Sequence, residues 1–222
     1  MSYSCHSIKK SYHQGEKEIS ILKGIDFDWR DEKIVGIIGE SGSGKSTLLS
    51  IFSGLLRPDE GEVIIDDTSL YQLDKKKLSE FRAKNIGIIF QQYHLIPDLT
   101  LTENILLPLE LNDIPVDLKE LDWWLERLGL SHRREHFPYQ LSGGEQQRVA
   151  IARAFIHKPK IVFADEPSGS LDESTGSQIM SLLFDIVKER NAKMFLVTHS
   201  PSLADLCDRV YRVEEGQLNE VL

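Results

Sequence analysis

Residues 34–47 read Ile34-Val35-Gly36-Ile37-Ile38-Gly39-Glu40-Ser41-Gly42-Ser43-Gly44-Lys45-Ser46-Thr47, an apolar run followed by a glycine-rich segment. The apolar Leu48–Phe52 comes next, so the pattern predicts a buried strand, a tight turn and a helix. Glycines permit positive φ and let backbone N–H groups approach a phosphate, while the helix N-terminus adds partial positive charge. The spacing places Lys45 at the β/γ-phosphates and Ser46 on Mg²⁺. These residues therefore predict a nucleotide-binding loop.

The composition limits the function classes further. The chain has 222 residues, 41% of them hydrophobic, and a net charge of −9, which suits an α/β domain with a full core and argues against a nucleic-acid groove or a polybasic membrane anchor. Cys5 and Cys207 lack metal-binding spacing, and residues 1–6 contain no apolar signal region. We expect a cytoplasmic protein that does not bind nucleic acid. No apolar run reaches the roughly 18 to 20 residues that cross a bilayer.

Short apolar runs alternate with helical patterns, as in a parallel sheet covered by helices. Predicted strands of this sheet are Lys33–Ile38, Asn85–Phe90, Lys160–Ala164, Ala192–Thr198 and Asp208–Val213. Glu18–Trp29 and Gly61–Ile65 resemble short strands of an antiparallel edge sheet. From Tyr93 to His136 no strand pattern occurs, and the periodic Leu118–Leu130 indicates a helical insertion.

Two adjacent carboxylates follow the strand-like Ile161–Ala164. Ligands of parallel sheets bind at the carboxyl ends of strands, and in P-loop enzymes one carboxylate there holds Mg²⁺ while its neighbour orients and deprotonates water. We assign Asp165 to the metal and Glu166 to the water. On its own this pair would be interpreted as a solvated turn; the phosphate loop in the same chain favours catalysis.

A second glycine-containing helix start follows Leu141. Ser142 can cap this helix, and Gly143 and Gly144 leave backbone N–H groups open to an anion. A capped helix start with no ligand is the alternative interpretation. The chain then has two predicted phosphate-binding helix starts and a single lysine cradle.

Together the motifs identify a family. Gly39–Thr47, the Leu-Ser-Gly-Gly-Glu-Gln signature at 141–146 and Asp165-Glu166-Pro167 through Ser170-Leu171-Asp172 occur in the order of an ABC-type ATP-binding domain. The resemblance covers nearly the whole chain and implies a RecA-like P-loop α/β core with a parallel sheet, an antiparallel β edge subdomain and an inserted helical subdomain. We expect a single domain over 1–222, with 1–91 and 158–222 as core and β subdomain and 92–157 as helical subdomain.

The same resemblance implies a head-to-tail dimer with a second copy of the chain. Each ATP would be clamped between the Lys45 loop of one copy and the Ser142-Gly143-Gly144-Glu145 segment of the other. That arrangement would explain why the chain has two anion sites.

Other positions match the family pattern individually. Gln91 resembles the glutamine that contacts Mg²⁺ and the attacking water, and His199 the switch histidine that bonds the γ-phosphate and helps position Glu166. Tyr12 resembles the aromatic that stacks on adenine, and Asp172 lies near the expected dimer seam. Without this context a lone Tyr or His is more often a packing residue.

The stretch Phe90–Thr100, with Glu103-Asn104-Ile105 and Leu107-Pro108-Leu109, is similar to bacterial lipoprotein-releasing, macrolide-efflux and cell-division ATPases. This resemblance implies a separate transmembrane permease, a peripheral position on the cytoplasmic face of the membrane, and an exporter or mechanotransmission role. Two alternatives stay open: a soluble ABC ATPase acting on ribosomes or nucleic acid, and a scaffold that binds ATP and hardly hydrolyses it.

Overall fold

The computed structural model describes residues 1–15 and 17–221. Ten strands and seven helices make up its regular structure. The strands are β1 Tyr3–Gln14, β2 Lys17–Asp28, β3 Ile34–Ile38, β4 Glu60–Ile65, β5 Thr68–Ser69, β6 Ile86–Ile89, β7 Ile161–Asp165, β8 Lys193–Val197, β9 Arg209–Glu214 and β10 Gln217–Glu220. The helices are α1 Lys45–Phe52, α2 Lys75–Asn85, α3 Leu101–Glu110, α4 Leu118–Arg127, α5 Gly143–Phe155, α6 Glu173–Glu189 and α7 Pro201–Ala204. Short 3₁₀ helices cover Leu70–Gln72, Ser131–Arg133 and Pro138–Gln140.

The chain divides into two compact units. The first contains residues 1–82 and 193–222, and the second contains residues 83–192. The predicted helical segment 92–157 lies within the second unit, which also includes β6, β7 and α6.

The first unit contains two sets of paired strands. In one, the order is β2-β1-β4-β5 and all neighbours are antiparallel. In the other, β3 lies between β8 and β9 and is parallel to both, while β10 pairs antiparallel with β9. Because β3 is central and covered, its residues Ile34–Ile37 are buried, which explains why its sequence is a continuous apolar run.

An aromatic cluster fills the core of the first unit. Tyr3, Phe27, Trp29, Phe52 and Phe195 pack with ring centroids 4.3–6.1 Å apart. The Tyr3 hydroxyl donates to the Phe52 carbonyl at 2.9 Å, so the one polar atom of this buried ring is satisfied. The cluster thereby fixes the C-terminal end of α1, whose first turn follows the glycine-rich loop.

The second unit combines the parallel pair β6 and β7 with helices. The register runs from Ile86 opposite Ile161 to Ile89 opposite Ala164, so both strands end at the same edge. Trp124 is fully buried and packs 5.9 Å from Phe155, whereas the neighbouring Trp123 lies under the Arg190 guanidinium at 3.8 Å. Both tryptophans therefore have packing roles.

The structure confirms the five predicted parallel-sheet strands to within one or two residues at each end, and no strand occurs between Tyr93 and His136. It differs from the prediction elsewhere. Residues 17–28 form one long strand, β2, where short strands were predicted within Glu18–Trp29, and β2 pairs with β1, which was not predicted. Helix α2 was also missed. Across the described residues, none of the helices combines the length and the apolarity that a membrane span requires.

Candidate active site

The loop between β3 and α1 has the predicted form of a phosphate cradle. Gly44 precedes α1 at φ +102°, and no side chain caps the helix start. A Cβ at Gly44 would lie 2.7 Å from Ile21 Cγ2, and one at Gly39 would lie 2.5 Å from the Val213 carbonyl oxygen. Only glycine fits at these two positions without strain. The loop therefore leads its backbone directly into an uncapped helix N-terminus, which attracts anions.

Polar groups inside this loop fit a triphosphate. Lys45 is 7% exposed, and its ammonium donates to the carbonyls of Gly39 at 3.0 Å and Glu40 at 2.7 Å, so the charge lies within the loop. The Ser43 hydroxyl is buried and has no hydrogen-bond partner among residues 1–15 and 17–221. An unsatisfied buried hydroxyl is costly and is explained by a ligand that bonds it. The exposed Ser46 hydroxyl at the start of α1 is an oxygen donor of the kind Mg²⁺ prefers.

His199 follows β8 by two residues and is exposed. It lines a cavity of about 830 Å³ with Gly39, Glu40, Gly42 and Ser43. The structure thus brings His199 and the phosphate loop together within the first unit. Tyr12 lies on β1 opposite Ile19 of β2 and is 43% exposed, so its ring is available for stacking. Its predicted contact with adenine stays a prediction.

The second unit collects the other predicted site residues at the carboxyl ends of β6 and β7. Asp165 is the last residue of β7, and Gln91 follows β6 by two residues. The Gln91 amide lies against Gly169, where an added Cβ would be 2.8 Å from Nε2. The Ser170 hydroxyl donates to the Gln91 carbonyl at 3.1 Å. Gln91 therefore contacts the loop that follows Asp165-Glu166 through both its side chain and its backbone.

Glu166 has an unusual backbone conformation. Its φ is +45°, in the left-handed region that non-glycine residues seldom adopt. The Gly169 N–H donates to the Glu166 carbonyl at 2.9 Å and closes the turn. A residue held in this region costs of order 1–3 kcal/mol, and such residues concentrate at active sites. The conformation supports a functional role for this glutamate.

Ser142 and Glu145 build the start of α5. The Ser142 N–H and hydroxyl donate to the Glu145 carboxylate at 2.8 and 2.9 Å, and the Glu145 N–H donates to Ser142 Oγ at 3.3 Å. Although burial favours a higher value, these bonds and Arg133 at 3.3 Å lower the pKa of the Glu145 carboxyl. The predicted cap is confirmed, and the Glu145 side chain is engaged in it.

A second cavity opens at this helix start. It has a volume of about 450 Å³ and is lined by Ser142, Gly143, Gly144, Arg148, Ser170, Leu171, Asp172, Thr175 and Gln178. Arg148, Thr175 and Gln178 were not among the predicted site residues. Arg148 lies four residues after Gly144, a spacing that places both on one helix face and could have identified it. The carboxylate of Asp172 accepts from the Thr175 N–H at 3.0 Å and caps α6. This hydrogen bond is the main cause that lowers the pKa of the Asp172 carboxyl.

A residue of α5, Arg153, stabilises the turn that follows Gln91. Tyr93 and His94 both have positive φ, at +56° and +48°. The Arg153 guanidinium donates to their carbonyls at 2.5 and 2.6 Å. No local pattern in the sequence could have revealed this contact, because the partners are about sixty residues apart.

Replacing Gly144 by alanine tests the close approach of α5 and α6. A Cβ at this position would lie 2.7 Å from Thr175 Cγ2, and a β-branched threonine has few rotamers with which to move aside. We expect Gly144→Ala to lower the free energy of unfolding by about 1–3 kcal/mol, measured by urea denaturation. The double variant Gly144→Ala/Thr175→Ala should recover most of the loss. Equal stability of wild type and Gly144→Ala would contradict the described packing.

Known proteins resemble this chain over almost its whole length. The family model described as ABC transporter matches residues 22–169. The lipoprotein-releasing system ATP-binding protein LolD of Hahella chejuensis is 42% identical, covering 98% of this chain and 95% of LolD. The uncharacterized ABC transporter ATP-binding protein YbbA of Escherichia coli is 46% identical, covering 97% and 95%.

Solved structures agree with these relatives. The ATP-binding cassette MJ0796, in a dimeric post-hydrolysis state bound to ADP and Pi, superposes with a TM-score of 0.90 at 38% identity, covering 99% of this chain and 97% of that one. Another dimeric structure of MJ0796 gives a TM-score of 0.88 at 39% identity, with coverage of 97% and 96%. The predicted P-loop α/β fold is confirmed.

Proposed function

The chain belongs to the ABC transporter family, and on that premise we propose that it is the ATP-hydrolysing subunit of a membrane transporter, acting on a separate permease. It is an ATPase of the ABC type. Two anion-binding helix starts, on different units and only one with a lysine cradle, carry this proposal. Each start can hold one side of a triphosphate, so two copies facing head to tail would complete two sites.

In this proposal the first unit binds the nucleotide. Lys45 and the backbone of Gly39–Thr47 hold the phosphates, and Tyr12 stacks on the adenine. By the family resemblance, Ser46 of the first unit and Asp165 and Gln91 of the second would each offer an oxygen ligand to Mg²⁺. When bound, Mg²⁺ neutralises charge on the β- and γ-phosphate oxygens. No group of three or more His, Cys, Asp or Glu side chains placed to hold a metal ion occurs in the described part of the chain.

Hydrolysis is assigned to three residues. Glu166 accepts a proton from the attacking water. The left-handed backbone at this residue sets the direction in which its side chain leaves the turn. His199 lines the same cavity as the phosphate loop and donates a hydrogen bond to the γ-phosphate. Gln91 orients the water. Positioning and charge stabilisation supply most of the rate.

On the partner's side, the exposed Ser142 hydroxyl and the N–H groups of Gly143 and Gly144 meet the γ-phosphate, while Glu145 keeps this segment in shape through the cap. One ABC domain covers 1–222 in this scheme. LolD is a lipoprotein-releasing system protein by name, which supports an exporter or mechanotransmission role at the cytoplasmic face of a membrane.

Crosslinking tests the head-to-tail arrangement. Ser41 and Ser142 are exposed, whereas the natural Cys5 and Cys207 are buried. In a Glu166→Gln background with ATP and Mg²⁺, Ser41→Cys/Ser142→Cys should form a covalent dimer with a short thiol reagent, detected on a denaturing gel.

The single-cysteine variants and the double variant without ATP are the controls and should stay monomeric on the gel. A double variant that binds ATP and still does not crosslink would refute the shared-site arrangement.

A further inference from the structure

Helix α2 forms an exposed basic patch, which we define as Lys75, Lys76, Lys77 and Arg82 with the adjoining Arg57. No residue of α2 is buried. Arg57, Lys75 and Arg82 line one cavity of about 590 Å³ with Leu55 and Leu78. The chain carries a net charge of −9, so this patch reverses the sign of the charge locally.

The charged side chains of the basic patch make few ion pairs within the fold. Arg57 donates to the Tyr71 carbonyl and Arg82 to the Gly54 carbonyl at 3.0 Å. Lys77 lies 3.8 Å from Asp74. Within the described ranges, no carboxylate lies within 4.0 Å of the charged nitrogens of Arg57, Lys75, Lys76 or Arg82. Most of the positive charge is therefore available to an outside partner.

The position of the lysines opposes helix stability. Lys75, Lys76 and Lys77 form the first turn of α2, which contains no acidic residue. The carboxylate of Asp74, directly before this turn, accepts from the Lys77 N–H at 2.8 Å and offsets part of the positive charge. A helix N-terminus carries partial positive charge, so three cations there are unfavourable. Residues that break a local rule with no structural gain are expected at functional sites.

The chemistry of the basic patch favours a lipid surface over a protein partner. Lysine is depleted at the cores of protein interfaces, and α2 has no apolar stripe to pack there. Consecutive residues of a helix are 100° apart, so three lysines fan around the axis, and their long side chains can reach a plane together. Clusters of four to eight basic residues on a helix suit anionic headgroups. Leu55, 43% exposed in the same cavity, adds one apolar contact.

We infer that the basic patch binds anionic phospholipid headgroups and so orients the subunit on the membrane. The inference deepens the proposed peripheral location and rests on it. It concerns a site in the first unit with no residue of the phosphate loop.

Vesicle binding tests the inference with the full chain. Wild type should sediment with vesicles of phosphatidylcholine containing about 30% phosphatidylglycerol and not with phosphatidylcholine alone, and added salt should release it. The variant Lys75→Gln/Lys76→Gln/Lys77→Gln should bind the anionic vesicles roughly a hundredfold more weakly, about fivefold per lysine. It should melt at the same or a higher temperature and keep wild-type ATP hydrolysis, because it relieves the helix start.

The matched control is Lys17→Gln/Lys119→Gln/Lys188→Gln, which removes the same charge at exposed positions elsewhere and should bind like wild type. Equal loss in both triple variants, or no wild-type preference for anionic vesicles, would overturn the inference. Wild-type vesicle binding by the Lys75 triple variant, together with loss of copurification with the permease, would also overturn it and assign the patch to a protein. ATP hydrolysis in the same preparations separates these outcomes from a failure of the proposed function.

Discussion

Glu166→Gln is expected to stop ATP turnover while leaving ATP binding intact. The amide is isosteric with the carboxylate, so the left-handed turn at 166 is preserved, but a neutral amide cannot accept the proton of the attacking water. Loss of a positioned general base lowers the rate about 10²- to 10⁴-fold. Phosphate release should fall by that factor, while titration with a fluorescent ATP analogue should give a dissociation constant close to that of wild type.

Bound but unhydrolysed ATP should also hold two copies together. Size-exclusion chromatography of Glu166→Gln with ATP and Mg²⁺ is expected to show a dimer. Glu173→Gln is the matched control, because Glu173 is an exposed glutamate in the first turn of α6, and it should hydrolyse ATP normally. Turnover by Glu166→Gln at the rate of this control would assign the base to another residue.

Lys45→Ala is expected to act at the earlier step and weaken nucleotide binding itself. The ammonium is nearly buried in the phosphate loop, and a charge-assisted hydrogen bond to a phosphate contributes about 1.5–3 kcal/mol. The dissociation constant for ATP should therefore rise roughly ten- to hundredfold, as measured by isothermal titration calorimetry.

Lys188→Ala serves as its control, since Lys188 is an exposed lysine in the last turn of α6 and its loss should leave the affinity unchanged. The Lys45 ammonium also bonds two loop carbonyls, so the melting temperature without nucleotide is needed beside the titration. A folded Lys45→Ala protein that binds ATP as tightly as wild type would remove this lysine from the site.

The parts of the fold that could be predicted are those that depend on neighbours in sequence. The run at β3 is buried from Ile34 to Ile37 and therefore shows the continuous apolar pattern of a covered parallel strand. The caps of α5 and α6 each use residues three apart, a spacing visible in any sequence. For the same reason the phosphate loop, the signature and the Asp165-Glu166 pair were recognisable.

The missed elements lack such a pattern. In β1 only Tyr3, Cys5 and Ile8 are buried, and Ser7 at φ +51° accompanies a break in register that disrupts alternation. Helix α2 buries nothing, so it has no apolar stripe to reveal its period. The left-handed backbone at Glu166 and the contact of Arg153 with Tyr93 depend on tertiary structure, and no local rule gives them.

The reciprocal bonds between Ser142 and Glu145 are internal to the chain, and this has a consequence for assembly kinetics. They fix the conformation of this helix end before a second copy arrives, so in the proposed dimer docking need not order it. Association is then limited by how two rigid faces collide and orient, and the lifetime of the joined state is set mainly by how fast they separate. Hydrolysis of the bound ATP would then determine how long the two copies stay joined.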